Sequence, residues 1–181
     1  MTYTKMSTAP ASELNLNSEY IRRDQLRLPD RLLAILNAMD QRVPGVPITR
    51  YEHSLQSATR AFRAGKDEEY VVAALFHDIG DDLAPYYHGE YCAAILRPYV
   101  SEKLCWIVET HATFQLFHYG HKVDLDRNAR DQYRDHPWYA DAVEFCAKYD
   151  QNCFDAEYES LPLEFFEPMV RRVFAEPTYV Q

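Results

Sequence analysis

The chain predicts an all-α, single-domain helical bundle, and three observations carry that expectation. Apolar residues recur at i, i+3 and i+4 in one segment after another, no stretch alternates apolar and polar as a half-buried strand does, and helix-ending residues such as Gly65 and the Val43 to Pro47 turn separate the segments. Neither a GxGxxG loop nor an internal repeat occurs, which argues against dinucleotide-binding and solenoid architectures. At 181 residues the chain suits one domain burying roughly 70% of its unfolded surface. Its 47% hydrophobic and 26% charged residues match ordinary globular composition.

Taken in order, residues 1–20 are rich in Ser, Thr and Asn without a sustained apolar period and read as a flexible N-terminal arm preceding a domain over 21–181. From Pro29, Leu32, Leu36 and Met39 mark a first helix that VPGVP (43–47) stops. Thr49 to Ala64 carries Leu55, Ala58 and Phe62 on one stripe, has His53 in its first turn and closes at Gly65. The next helix begins on acidic residues, which the helix dipole favours, and runs through Val71 to Phe76 to end at His77-Asp78 before Gly80. A short helix follows His88. Leu104, Ile107, Val108 and His111 then place that histidine on a buried face. Residues 112–135, aromatic and then charged, predict a long loop or lid. In the following helix Trp138, Ala142, Phe145 and Tyr149 form the buried stripe, and Asp150 falls at its edge beside Val143 and Cys146. Phe166, Met169, Val170, Val173 and Phe174 make a last amphipathic helix before Pro177.

A net charge of -9 repels a phosphate backbone, so nucleic acid is not an expected partner. The apolar run Val71 to Phe76 is far short of the roughly 20 residues that span a bilayer, and no basic region precedes a hydrophobic stretch at the N-terminus. Four cysteines without a CxxC pair read as reduced, packed thiols, which points to the cytoplasm. Oligomeric state is left open by these features.

Four histidines and two aspartates fall where helical faces turn inward: His53, His77, Asp78, His88, His111 and Asp150. Burying that many polar groups is costly unless something binds them together, and a metal ion does so. The adjacent pair His77-Asp78 is the most telling, because consecutive helical residues point about 100° apart and converge on one ion only near a helix end. A carboxylate can also bridge two ions.

The order His53, His77-Asp78, Asp150, over a core of about 49–155, resembles the HD-domain superfamily of metal-dependent helical enzymes. His88 and His111, lying between the HD pair and the last aspartate, make it similar to the dinuclear branch. Within that branch YEHSLQSATRA, AALFHDIG, HGEYCAAIL, IVETHA and AKYDQNCFD resemble the mixed-valent diiron oxygenases, which include myo-inositol oxygenase and phosphonate-degrading enzymes. The resemblance implies an HD-domain helical bundle in which His53, His77, Asp78 and Asp150 hold one iron and Asp78, His88 and His111 the other, with Asp78 as the catalytic bridge. It implies a mixed-valent Fe(II)/Fe(III) pair, for which manganese is an alternative. The reaction implied is dioxygen-dependent oxidation or cleavage of a small polar hydroxylated substrate. Phosphonate-cleaving members place a Lys four positions after the fourth histidine, where this chain has Gln115, and a Tyr and Glu shortly before the first histidine, where Tyr51-Glu52 abuts His53. Myo-inositol oxygenase carries a Lys where this chain has Asp81-Asp82. Gln115, His118 and Tyr87 are the candidate substrate-binding residues. A metal-dependent phosphohydrolase acting on a phosphate ester or nucleotide is the alternative function; it would use the same ligands and need convergent cations, for which Arg50, Arg60 and Lys66 are present without converging by helical spacing.

Overall fold

The computed structural model describes residues 3–179, and among these every regular element is helical. Eight α-helices succeed one another: α1 (Ala11–Gln25), α2 (Leu28–Ala38), α3 (Arg50–Arg63), α4 (Glu68–Phe76), α5 (His88–Leu96), α6 (Glu102–Tyr119), α7 (Tyr139–Phe145) and α8 (Leu163–Val173). A single π-turn, Cys146–Asp150, continues α7.

Local chemistry accounts for the boundaries. Thr49 and Glu52 form a reciprocal capping box that starts α3, and Gly65, at φ 74°, takes the left-handed conformation that ends it. The Asp67 side chain accepts from the Tyr70 backbone N–H to start α4. The α3–α4 and α5–α6 pairs pack most closely, with α7 and its π-turn laid against α3 and α6, and α8 closing over α4 and α2. Phe76, Phe145, Phe166 and Phe174 are completely or almost completely buried in the shared core. Each such ring contributes about 1.5–3 kcal/mol by leaving water. The four cysteines are buried and unpaired.

Three local expectations change. Residues 11–25 form helix α1, although none of its residues is buried; the first two residues of the expected arm lie outside the described residues. Helix α6 does not stop after His111 but continues to Tyr119, so the loop expected over 112–135 begins eight residues later and contains only short 3-10 turns. Phe62, expected on the buried stripe of α3, is 38% exposed and packs edge-on against Phe165.

A candidate dinuclear metal centre

Helices α3 and α4 deliver the first half of the site. His53 lies in the first turn of α3, and His77 is the residue that terminates α4. Their Nε2 atoms approach to 3.2 Å. Asp150 reaches them from the π-turn, whose i to i+5 geometry, with the Gln151 N–H donating to the Cys146 carbonyl at 3.0 Å, rotates the end of α7. The Ser57 hydroxyl, one turn after His53, donates to the Tyr149 carbonyl and ties that turn to α3. Asp150 is therefore fully buried, not at the edge of the buried face. Its Oδ1 lies 3.5 Å from His53 Nε2 and 3.8 Å from His77 Nε2, and its Oδ2 is buried with no hydrogen-bond partner.

The second half comes from α5 and α6. A Cβ built on Gly89 would lie 2.7 Å from the Glu109 carbonyl oxygen, so glycine permits the close approach of these helices. Beside it His88 meets His111, Nε2 to Nε2, at 3.2 Å.

Asp78 stands between the halves. Its Oδ2 is 3.4 Å from both His53 and His77 Nε2, whereas its Oδ1 is 3.0 Å from His111 and 3.5 Å from His88. With metal–nitrogen bonds of about 2.1 Å, two ligands of one ion sit about 3.0 Å apart at a right angle and about 3.4 Å apart at a tetrahedral angle. The spacings fit two adjacent ions sharing one carboxylate.

The tautomers point the same way. A carbonyl only accepts, so Nδ1 of His53 donates to Cys153 O at 3.0 Å, that of His77 to Ala74 O at 2.8 Å and that of His111 to Val108 O at 2.6 Å. Nδ1 of His88 faces the Asp81 carboxylate at 3.3 Å. In the neutral rings all four Nε2 atoms then present lone pairs to one another and to two carboxylates, an arrangement that needs cations. Without metal ions, protons take that role. Burial alone would depress the basicity of His53, but hydrogen bonds to Asp150 and Asp78 raise its pKa to about 10. The same balance, with Asp78 dominant, raises that of His111 to about 9. Burial alone would raise the Asp150 carboxyl, yet the hydrogen bonds with His53 and His77 hold it well below the usual range. Nitrogen and oxygen donors of this kind bind divalent first-row metal ions.

A cavity of about 240 Å³ opens onto His53, Asp78 and His88, walled by Val43, Val46, Ile48 and Phe154 and bounded by Arg50, Gln115 and Tyr119. Gln115 lies at this wall, and its amide donates to Asp150 Oδ1. His118 lines an adjoining chamber instead. Tyr87 does neither: it is 68% exposed and lies outside both linings, because α5 begins at His88 and Tyr87 occupies the N-cap with its side chain outward. Glu52 does not reach the site, since it accepts from the Thr49 N–H in the capping box. Arg50, which helical spacing left apart, reaches the mouth and pairs with Asp81 at 2.7 Å and with Asp82. The wall residues Val43, Val46 and Phe154 come from loops. No periodicity marks them, and only the paired aspartates near the HD motif hinted at the Asp81 contact with His88.

Histidines and aspartates thus converge from five separate segments of a helical domain, as a metal-binding site requires, and in the sequence comparison the HD domain matches residues 50–131, somewhat less than half of the chain. That match and a partial similarity to an oxygenase are what the comparisons give. The chain is 36% identical over 83 residues to a 1-hydroxy-2-(trimethylamino)ethylphosphonate dioxygenase (glycine-betaine-forming) of Leisingera caerulea, covering 40% of this chain and 42% of the relative. The chain thus matches less than half the length of that curated relative. Among the described residues no helix is long and apolar enough to cross a membrane.

Proposed function

We propose that the protein is a non-haem diiron oxygenase that uses dioxygen to oxidise or cleave a small polar hydroxylated substrate. The carrying observation is the division of Asp78, with one carboxylate oxygen facing His53 and His77 and the other facing His88 and His111. The dioxygenase relative supports the oxidative chemistry. His53, His77, Asp150 and Asp78 would hold the inner iron; Asp78, His88 and His111 would hold the outer one. Bound there, a mixed-valent iron pair would supply dioxygen activation and electron transfer.

The chain's own groups do the rest. The partly exposed outer half and the apolar wall of Val43, Val46 and Phe154 admit a small molecule while limiting water around it. Backbone carbonyls keep three histidines in one tautomer, and Asp81 orients the fourth, so the ligand atoms are aimed before binding. Hydrolysis of a phosphate ester would use the same ligands, but the one guanidinium at the mouth, Arg50, is already neutralised by Asp81 and Asp82. The unpaired thiols support a reducing compartment, in accord with a cytoplasmic enzyme.

Metal analysis with Mössbauer and EPR spectroscopy on protein purified without chelator tests this reading. Two irons per chain with a coupled mixed-valent signal after partial reduction are expected. One ion per chain, or two redox-silent ions, would replace it with the phosphohydrolase.

A further inference from the structure

The site cavity is not alone on its face of the molecule. A second chamber of about 550 Å³ adjoins it and shares Val46, Gln115, Tyr119 and Phe154 as walls. Its remaining lining is Gly45, Pro47, His118, Lys122 and Gln151, with no carboxylate among them. Among the described residues Lys122 forms no ion pair, and His118 Nε2 is buried without a hydrogen-bond partner. Next to His118, the Arg127 and Arg130 guanidinium groups lie 4.6 and 3.5 Å from the Phe117 ring centroid, and neither pairs with an acid among the described residues. The neighbouring Arg134, by contrast, pairs with Asp131 at 2.7 Å. Burial and then the charges of Arg130 and Arg127 lower the pKa of His118, which keeps its ring neutral. The acidic group acting on it from the other side is Asp150. In a chain of net charge -9, a chamber lined by Lys122 and no carboxylate, with Arg130 and Arg127 acting on His118 in its wall, is a local reversal of sign.

We propose that this chamber is an anion subsite, so that the substrate carries its reacting hydroxyl at one end and a carboxylate or phosphate at the other. The inference rests on the oxygenase reading for the reacting end. The geometry also sets the length. His111, His118 and Lys122 lie in sequence along α6 and the turn after it, and seven residues of helix rise roughly 10 Å. The anionic group would therefore sit about that far from the metal ligands, with Gln115 and Tyr119 beside the connecting chain and Phe154 and Val46 covering its apolar part.

Isothermal titration under anaerobic conditions, on the iron-loaded protein, tests the subsite with three probe series of graded chain length: ω-hydroxyalkanoates, ω-hydroxyalkyl phosphates and the matching diols. An affinity maximum at intermediate length is expected, with an anionic series binding at least about tenfold more tightly than the diols, or about 1.4 kcal/mol. Whichever series binds more tightly identifies the oxyanion. Lys122→Glu should remove that advantage while leaving diol affinity unchanged; Lys122 is exposed, so the variant should fold. Equal binding of acids and diols, or an unaltered Lys122→Glu variant, would overturn the proposal. Inorganic phosphate titrated into the metal-free protein separates the two readings: a His118 ring-proton shift absent from Lys122→Glu supports the subsite whatever the metal, whereas no shift at millimolar phosphate counts against it. Failure to take up two irons sinks the oxygenase reading alone.

Discussion

The inner and outer halves of the candidate metal centre use the same residue types in different surroundings. His53, His77 and Asp150 have side chains no more than 4% exposed, whereas His88 and Asp81 are 18% and 22% exposed. Backbone carbonyls orient the inner histidines, while His88 depends on the side chain of Asp81. A buried half with orphaned polar atoms is inseparable from folding, because removing its partners strands charge in the core. The outer half keeps His111 buried but opens at His88 and Asp81, and that opening is where substrate would arrive. The contrast teaches that a symmetrical-looking ligand set can have one half serving stability and the other chemistry.

The strongest way to break the comparison is at the bridge. Asp78→Ala should empty both halves, and metal analysis should find a loss of about two ions per chain with oxygen consumption at background. Retention of a full complement would mean that the halves are independent. Next in size, His53→Ala should cost about 1–3 kcal/mol of stability by leaving the buried Asp150 with only His77 and Gln115 as partners, whereas His88→Ala should leave the melting temperature of the metal-free protein nearly unchanged. Differential scanning calorimetry reads both, and equal losses would abolish the distinction. Gly89→Ala should push α5 from α6, costing about 1–3 kcal/mol and releasing the outer ion selectively. Asp81→Asn should lower outer-ion affinity by roughly 10–100-fold with the inner ion retained, as measured by competition with a chelator.

The smallest effect sharpens the comparison by pH. In the metal-free protein, the raised pKa values of His53 and His111 contribute stability that is fully present below about 6.5 and lost as pH rises through about 9 to 10. The lowered carboxyls of Asp78 and Asp150 act oppositely, stabilising above their ordinary range and ceasing to do so under strong acid. Thermal unfolding from pH 6.5 to 10 should show a steady fall in melting temperature that disappears on metal loading. His88→Ala should preserve that fall and His53→Ala should diminish it.

Much of the architecture was legible because helices advertise themselves locally. The apolar stripe from Thr49 and the glycine after Ala64 bracket α3, and the acidic start and apolar run define α4. The sequence understates helix α6 because Phe114, Gln115 and Phe117 mix polar and aromatic faces after His111, which blurs the apolar period. Tyr87 was credited with a site role for its nearness in sequence to His88, yet one residue across a helix start turns a side chain from the site to solvent.

By itself the sequence determined the helical class, the inward placement of the four histidines and the pairing of His77 with Asp78, since each depends on spacing along a single helix. Tertiary structure alone decided that Asp78 divides its oxygens between two histidine pairs, that a π-turn carries Asp150 into the core, and that Arg50 is held by Asp81 and Asp82. It also decided which loop residues close the cavity. The physical reason is that helical periodicity is a local property, whereas a shared carboxylate, a shifted hydrogen-bond register and a cavity wall arise where segments distant in sequence meet.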